Sequence, residues 1–309
     1  MLTKITGHAY YNTQYVHQMI TPVVLHPESN HVISLQPEFI ENHDGYEKQD
    51  CEQNACKRWL EKYGKHYSKD GITILGDDLY STNVFCEHLL SLQFNFILVC
   101  KDGSHKALYN ELEAKKAEIQ EKHIIVSKPK KRLLVKYRYI NGVNFISDKK
   151  SIKVNWIEII ETDEGTGKVT YHNSFVTNHE ITENNYQFIC VAGRAKWKVE
   201  NENNNELKRH GYNLEHNYGH GSQYLSQNLA VLNILAFLFH TIMALTSNIY
   251  DFIRNKFSSK KEIFEHFRVV TEYFCFKTWE ELLLKIAKKT PAEIEKMYRD
   301  KCLDPPVKV

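Results

Sequence analysis

Two short apolar segments separated by a helical segment constrain the fold more than any other feature of this sequence. Residues 71–80 read GITILGDDLY and residues 94–100 read FNFILVC, and both are nearly unbroken apolar runs, typical of strands buried on two faces. Ser81 or Thr82 can cap a helix that runs between them to about Leu92. Because a strand, a helix and a strand within about 30 residues form a parallel βαβ unit, the sequence predicts an α/β core.

The segment before this unit predicts a hairpin and a helix. Residues 13–26 and 31–35 are rich in β-branched side chains and are separated by turn residues, which indicates two paired strands. Residues 50–63 carry apolar side chains at helical spacing and are followed by Gly64, a typical helix end.

The segment after Lys101 predicts short strands and then long helices. Turns at Asn141-Gly142 and at residues 163–167 indicate an antiparallel meander, which follows a short helix at about 106–121. Thr182 then begins a predicted helix that continues to about Arg209. Four helical segments are predicted beyond Gly221, at about 222–256, 260–276, 278–288 and 290–302.

Composition excludes some classes of protein. The 40 Lys and Arg residues against 38 Asp and Glu leave a net charge of +2, so any nucleic-acid role must rest on local patches. Seven scattered cysteines without a CxxC pair predict free thiols in a reducing cytoplasm and argue against a structural zinc site. Residues 229–245 are apolar but include Asn233 and His240, so we predict a buried core helix and a soluble protein that does not engage a membrane.

Two acidic residues follow the first apolar strand. Asp77 and Asp78 would lie at the carboxyl end of that strand, where ligands and catalytic groups of open α/β sheets gather. The same pair can simply cap the next helix, and the residues alone leave both interpretations open.

A second candidate region lies on the predicted long helix. Residues 194–208 read RAKWKVENENNNELK, and Trp197 and Val199 are expected to face inward. Lys196 and Glu200 are one turn apart, so an ordinary salt-bridged helix face is one interpretation. Asparagine is a poor helix former, and the run of asparagines is expected to contact something; its members are Asn201, Asn203, Asn204 and Asn205.

Several of these motifs together resemble the DDE transposases of bacterial insertion sequences, in the branch with a β-strand insertion between the second aspartate and the glutamate. The resemblance rests on DDLY, on WKVENENNNELK, on KQDCE before the first helix, and on GYNLEHNYGHG. It runs along essentially the whole chain. It implies an RNase H-like catalytic core in which two aspartates and a glutamate bind two Mg²⁺ ions, with transposon-end and target DNA as partners.

The resemblance also implies roles for particular residues. Asp77 matches the second catalytic aspartate and Glu200 the catalytic glutamate, with Asp78 and Glu202 as alternatives. Carboxylates suit Mg²⁺, and two ions can activate the attacking oxygen and stabilise the leaving one. The family also has a Tyr, an Arg and a Lys near its glutamate that bind DNA. In this sequence the Tyr position is Gly193, the Arg position is Lys196, and the Lys is matched by Lys208.

The first aspartate of the family has no match. Residues 1–14 contain no Asp or Glu, and Asp44 and Asp50 lie beyond the matching strands, where Asp50 is expected to cap a helix. We therefore expect an incomplete core without the first strand, a chain inactive alone, and exposed strand edges that favour self-association. The alternative is a non-catalytic remnant that binds DNA or intact transposase and inhibits it. Either would be cytoplasmic and nucleoid-associated in a bacterium.

The resemblance divides the chain into four parts. Residues 1–101 would be the N-terminal part of the RNase H-like core, and residues 102–181 the β-rich insertion. Residues 182–221 would carry the helix with the catalytic glutamate, and residues 222–309 a helical C-terminal region.

A basic segment is a further candidate for DNA binding. Residues 128–153 contain nine Lys and Arg against the single acid Asp148. A solvated strand face is one interpretation, but interleaved aromatic residues favour a DNA-facing patch. The residues assigned to that patch are Lys130, Lys131 and Arg132, with Tyr137, Tyr139 and Phe145 as the aromatics. His210, His216 and His220 near Glu215 are interpreted as part of a structural loop rather than a metal site.

Overall fold

The computed structural model describes residues 3–6, 13–41, 50–67, 71–129, 131–217, 219, 221 and 223–303. The fold is mixed α/β, which confirms the predicted class at this level. The chain divides into two compact units. The sheet unit consists of Met1–Ile20, His26–Glu28 and Glu38–Trp197, and the helical unit consists of Thr21–Leu25, Ser29–Pro37 and Lys198–Val309.

Six short strands form three antiparallel pairs near the start of the chain. They are β1 (Thr3–Thr6) with β2 (Thr13–Val16), β3 (Gln18–Ile20) with β6 (Glu38–Ile40), and β4 (Val23–Leu25) with β5 (Val32–Ser34). The β4–β5 pair confirms a hairpin in this region. The predicted single strand over residues 13–26 is wrong, because it breaks before Pro22, which has no N–H to donate to a ladder.

The main sheet contains the predicted βαβ unit. β7 (Thr73–Gly76) is parallel to β8 (Asn95–Val99), and α2 (Asn83–Ser91) connects them. The Thr82 hydroxyl accepts a hydrogen bond from the Phe85 amide at 3.2 Å and so caps α2, as predicted. The preceding helix, α1 (Glu52–Tyr63), buries the apolar stripe that its sequence predicts.

The meander continues the same sheet. After α3 (Lys106–Ala114) come β9 (Gln120–Lys128), β10 (Lys131–Asn144), β11 (Lys153–Asp163) and β12 (Val169–Thr177). The strand order is β7-β8-β12-β11-β10-β9, and every pair except β7–β8 is antiparallel. β7 is therefore an edge strand of this sheet within the described residues.

Asn141-Gly142 is not a hairpin turn, which corrects the sequence prediction. The register shifts between Ile140 and Val143, so the dipeptide is a bulge inside one long strand. Gly142 has a φ of 72°, and its amide donates to Asn155 Oδ1 at 2.9 Å. The hairpin between β10 and β11 instead lies at residues 145–152.

One face of the meander carries the core of the sheet unit. Tyr137 and Tyr139 of β10 are buried there with Ile157 and Phe175, and Tyr186 packs against both tyrosines. Phe145 is also buried. The predicted DNA-facing role of these three aromatic residues is therefore wrong, because alternation along β10 turns Tyr137 and Tyr139 inward and Phe145 packs on His105.

The predicted helix over residues 182–209 is interrupted. It consists of α4 (Tyr186–Arg194), a turn at 195–196, a π-helical segment (Val199–Asn204) and α5 (Asn205–Arg209). Trp197 is 47% exposed rather than inward-facing, because the turn takes it out of the register of α4.

The asparagine run makes the contacts that its composition predicted. Asn203 is fully buried, and its Oδ1 accepts the Ser34 hydroxyl at 2.6 Å. Asn204 Oδ1 accepts the Thr21 hydroxyl at 3.1 Å. These bonds join the π-helical segment to the β4–β5 region inside the helical unit, and they compensate for the poor helix propensity of asparagine.

Five helices complete the helical unit, and they follow the predicted segments closely. They are α6 (Leu225–Thr246), α7 (Asn248–Lys256), α8 (Lys260–Tyr273), α9 (Trp279–Ala287) and α10 (Pro291–Leu303). The predicted helix over 222–256 is divided because Ser247 is extended and caps α7. A cluster around Tyr250, Ile253 and Leu283 forms the core.

α6 is only partly the core helix that the sequence predicted. Within it Ile234, Phe237 and Thr241 are buried, while Leu232 and Leu235 are 58% and 55% exposed. Among the described residues it is the one helix whose length and composition would allow it to cross a membrane. That test is passed equally by core helices of soluble proteins, and here one face of the helix packs into the helical unit.

Candidate functional site

The strongest candidate site lies where the two parallel strands of the sheet unit end. Asp77 and Asp78 follow β7, and Lys101 follows β8 after one residue. Because the carboxyl ends of parallel strands meet at one edge of the sheet, these side chains converge. They line a cleft of about 740 Å³ together with Tyr171, Asn173, Arg194, Lys196 and Trp197.

The two neighbouring aspartates have different environments. Asp77 is about half exposed, its Oδ1 accepts the Leu79 amide at 3.1 Å, and its Oδ2 lies 3.4 Å from Lys196 Nζ. Asp78 Oδ1 accepts the Lys101 amide at 2.7 Å and lies 3.1 Å from His105 Nε2. Asp77 is thus the carboxylate that remains open to the cleft.

The Asp78 carboxylate binds the loop that follows β8 and fixes its position. Burial raises the pKa of its carboxyl, but hydrogen bonds from Ser104, from the Lys101 amide and from His105 outweigh burial and lower the pKa overall. A carboxylate with that many donors acts as a fixed acceptor for the loop. This environment favours Asp77 over Asp78 as the residue available to a ligand.

The turn after α4 places Lys196 beside Asp77, and Gly193 of α4 allows the helix to approach the sheet closely. A Cβ atom on Gly193 would lie 2.7 Å from a ring carbon of Phe175 and 3.0 Å from Ile97. The helix therefore packs against β8 and β12 more closely than any larger residue would allow. A tyrosine, which the resemblance expects at this position, cannot be accommodated in the present packing.

Arg194 is a cleft residue whose role the sequence did not predict. Its Nη1 lies 2.6 Å from Glu161 Oε1, and its guanidinium lies 4.1 Å from the Tyr171 ring centroid. Glu161 is buried on β11. The sequence signal for this pair was an acidic residue inside the apolar strand sequence WIEIIE, because a buried carboxylate requires a positively charged or hydrogen-bonding partner.

A basic hairpin is attached beside the same cleft. In the 145–152 hairpin, the Phe145 ring stacks on His105 with a centroid distance of 5.4 Å. Asn83 Oδ1 accepts the Ile152 amide at 3.0 Å, and Asn83 Nδ2 donates to the Lys150 carbonyl at 3.4 Å. Since His105 contacts Asp78, the hairpin that carries Lys149 and Lys150 is fixed to the loop at the cleft.

Three cations of the predicted basic segment are paired with neighbouring acids. Arg132 pairs with Glu164 at 3.2 Å and Lys136 with Glu121 at 2.7 Å. Arg138 likewise pairs with the buried Glu158 at 3.0 Å. Pairing of this kind means that these three cations already have acidic partners within the sheet unit.

The remaining cations of the basic segment lie at opposite ends of β10. Lys128 and Lys131 are exposed at its beginning, and Lys149, Lys150 and Lys153 lie at its other end. At about 3.3 Å per residue, the two ends of this strand are roughly 40 Å apart. Lys130 lies outside the described residues.

Asp50 has a structural role in α1. Its Oδ1 accepts the Cys51 amide at 2.9 Å, and both carboxylate oxygens bind the Arg58 guanidinium at 2.8–2.9 Å. Asp50 is therefore not the predicted cap, because Cys51 occupies the N-cap position of α1; Asp50 precedes it and anchors the helix through the bidentate pair with Arg58.

The other predicted site residues belong to the helical unit. Glu200 is exposed, and its Oε2 accepts Asn204 Nδ2 at 3.0 Å. Lys208 pairs with Glu215 at 3.1 Å, and Glu202 lines a separate cavity of about 170 Å³. The structure thus brings Asp77 and Lys196 together in one unit and places Glu200, Glu202 and Lys208 in the other.

The histidine segment gives no metal site among the described residues. His210 Nδ1 lies 2.6 Å from Glu206 Oε1, one helical turn away, and His220 lies outside the described residues. No group of three or more His, Cys, Asp or Glu side chains in the described part of the chain is arranged to hold a metal ion.

Comparison with known proteins leaves the family open. No protein-family description matches this sequence, and no curated protein is significantly similar to it.

Proposed function

We propose that this chain is a DNA-binding protein of the transposase type found in bacterial insertion sequences, and that DNA binds at the cleft beside Asp77. The observation that carries the proposal is the Asp77–Lys196 pair, whose members are 119 residues apart in sequence and 3.4 Å apart in space. The resemblance assigns these positions to the second catalytic aspartate and to a DNA-binding cation. Their meeting at a strand end supports that assignment.

An RNase H-like core is part of the same proposal. Its parallel strands would be β7 and β8, with α4 packed against the sheet and the meander as the insertion. β7, which is an edge strand of this sheet among the described residues, would be the strand that lies next to the central first strand of such a core.

The side chains around the cleft suit a polyanion with exposed bases. Asp78 and Glu161 are already engaged by donors, whereas Lys101, Lys149 and Lys150 form no ion pair with any described residue. These cations would contact phosphates, and such contacts supply most of the affinity of proteins for DNA. Trp197, the most exposed tryptophan among the described residues, offers a ring on which an unstacked base can lie.

The cleft's own donors do not fit a two-ion magnesium site. Asp77 is the single open carboxylate in it, and its nearest charged neighbour is the Lys196 ammonium rather than a second acid. Two ions about 4 Å apart need several carboxylates. We therefore propose DNA binding without strand cleavage for the isolated chain, and we derive no catalytic step through Mg²⁺.

A related proposal is that the chain is a remnant that inhibits an intact transposase by occupying its DNA or by pairing with it. A remnant that inhibits by occupying the DNA would bind that DNA at the same cleft beside Asp77. A cytoplasmic, nucleoid-associated location follows from either form of the proposal.

The test uses the full chain with fluorescently labelled 20-base-pair duplex and the corresponding single strand. We expect binding at about 50 mM salt that weakens steeply as salt increases. The triple variant Lys101→Ala, Lys149→Ala, Lys150→Ala should bind at least about tenfold more weakly and should reduce the salt slope by roughly 2 to 3.

The matched control is the double variant Arg132→Ala, Lys136→Ala, which removes cations that are already paired on the sheet face. It should bind DNA as the unchanged protein does. Equal affinity of the triple variant and the unchanged protein would contradict the cleft as the binding site. A second assay, incubation with supercoiled plasmid and Mg²⁺, tests the proposed absence of strand cleavage. Nicking that is lost in Asp77→Asn would show that the chain does cleave DNA.

A further inference from the structure

The cavity inside the helical unit is lined by both charged and apolar side chains. Its volume is about 170 Å³, and all of its lining residues belong to the helical unit. α6 and β5 supply an apolar wall through Phe237, Ala244 and Val32. Asn30 and His31, which precede β5, are exposed, so the cavity reaches solvent on that side.

The acids and bases that line the cavity balance one another. They are two of each: Glu202, Glu206, Arg254 and Lys260. Lys260 Nζ binds Glu206 Oε2, so these two neutralise each other. His240 adds no charge near neutral pH, because burial, followed by the Lys260 charge, lowers the pKa of its imidazole to about 4. Glu202 and Arg254 remain, and neither forms an ion pair or a side-chain hydrogen bond with the described part of the chain.

Arg254 and Tyr250 present hydrogen-bond donors to the cavity from one helix. Both belong to α7 and are one helical turn apart. Tyr250 is 2% exposed, and its hydroxyl has no hydrogen-bond partner among the described residues. Burial raises the pKa of this hydroxyl to about 12, and the Arg254 charge opposes the rise, so the phenol is a neutral donor beside a guanidinium. A carboxylate, which has two acceptor oxygens, can bind both groups.

Glu202 presents the opposite charge from another element. It lies in the π-helical segment Val199–Asn204, and π-helical turns are rare and occur frequently at functional sites. Asn203 of this segment accepts the Ser34 hydroxyl at 2.6 Å, which fixes the backbone beside Glu202. A half-buried carboxylate loses part of its hydration, and an ammonium group would compensate for that loss.

We propose that this cavity binds a small zwitterion of the α-amino acid class, with its carboxylate on Arg254 and Tyr250 and its ammonium group on Glu202. The balanced lining favours a zwitterion over a simple anion or cation, because either of these would leave one charged side chain unpaired. This inference does not depend on DNA binding.

The size and the apolar wall of the cavity define the side chain of the ligand. An engineered cavity of about 150 Å³ holds benzene, so this cavity suits a ligand of roughly six to nine non-hydrogen atoms. The wall formed by Phe237, Ala244 and Val32 favours a small aliphatic side chain over a polar one. L-valine combines these properties and is the probe for the test.

The experiment measures binding of L-valine to the full chain by isothermal titration calorimetry, beside two analogues that each lack one charged group. Isovalerate keeps the carboxylate, and isobutylamine keeps the amine. L-valine should bind with a dissociation constant of about 1 mM or tighter. Each analogue should bind at least about tenfold more weakly, because each leaves one lining charge unpaired. Failure of L-valine to bind, or equal binding of isovalerate or inorganic phosphate, would overturn the proposal.

Variants of the lining locate the binding. Arg254→Gln and Glu202→Gln should each weaken L-valine binding at least about tenfold. The matched control is Arg268→Gln, because Arg268 is exposed on α8 and is not a lining residue; its affinity should equal that of the unchanged chain. Circular dichroism shows which variants are folded. Folded Arg254→Gln and Glu202→Gln proteins with unchanged affinity would overturn the proposal.

A milder variant keeps the test decisive if the charge variants unfold. Tyr250→Phe retains the ring and removes only a hydroxyl without a partner among the described residues, so this variant should fold as the unchanged chain does. It should weaken L-valine binding about threefold to tenfold through the lost hydrogen bond. Unchanged affinity in the folded Tyr250→Phe protein would contradict the proposed site.

Discussion

Leu98 of the sheet unit is completely buried, whereas Leu232 of the helical unit is 58% exposed. The difference extends to the surroundings of each residue. The sheet unit buries its apolar residues on one face of the meander and groups polar side chains where the parallel strands end. The helical unit buries a mainly aliphatic cluster around Tyr250 but leaves one apolar face of α6 uncovered. The two units therefore offer different kinds of surface. The sheet unit has a polar, concave one, and the helical unit has an apolar, linear one.

The largest expected effect comes from a matched pair of truncations. Leu98→Ala removes a fully buried side chain from β8 and should lower the free energy of unfolding by about 2–5 kcal/mol, because it leaves a cavity. Leu232→Ala should change it by less than about 0.5 kcal/mol, measured at concentrations where the chain is monomeric. Urea unfolding curves of the two variants measure both values. Equal losses would mean that the outer face of α6 is covered within the chain.

The second prediction concerns acid sensitivity of the helical unit. Burial, followed by the nearby Lys260 charge, lowers the pKa of His240 to about 4. In the unfolded chain this histidine takes up a proton as the pH falls through about 6.5, while in the folded chain it stays neutral until about pH 4. Its contribution is therefore complete above pH 6.5 and is lost as the pH falls toward 4. The full loss is about 3 kcal/mol.

Urea unfolding at pH 7 and pH 5 measures this effect against a control. The double variant His240→Phe, Tyr212→Phe removes the histidine together with the hydroxyl that contacts it, so its stability should fall less over the same interval. An NMR titration of His240 with a pKa near 6.5 in the folded protein would contradict the prediction.

The smallest effect tests how tightly the wall of the cleft is packed. Gly193→Ala places a Cβ atom 2.7 Å from Phe175, so the helix or the ring must shift, at a cost of about 1–3 kcal/mol. Gly103→Ala is the control, because its Cβ would meet nothing within 4 Å. Thermal unfolding should show a clear decrease for the first variant and almost none for the second. A tolerated alanine at Gly193 would mean that the cleft wall is loosely packed.

The parts of the fold that depend on local pattern could be predicted. The βαβ unit over residues 71–100 follows from apolar runs and a capping threonine, and the C-terminal helices follow from their periodicity and caps. The turn predicted at Asn141-Gly142 was wrong, because the same residues also suit a bulge. Pairing with Asn155 across the strands decided in favour of the bulge.

The candidate site was predictable only in part. Asp77 could be located because it follows a buried strand, and that position needs no knowledge of distant contacts. The pairing of Arg194 with Glu161 depends on how α4 meets the third strand of the meander, which no local pattern determines. The exposure of Trp197 likewise depends on a break in a helix that its sequence alone predicts to be continuous.

The sequence by itself determined the mixed α/β class, the βαβ unit, the helical C-terminal region and the placing of Asp77 at a strand end, because each depends on residues close together in the chain. Only the tertiary structure decided that Lys196 meets Asp77, that Arg132, Lys136 and Arg138 of the meander are paired with acids, and that α6 leaves one apolar face exposed. Those features depend on strand register and on side chains from distant segments, and they decide which charges and which apolar surfaces remain available to a partner.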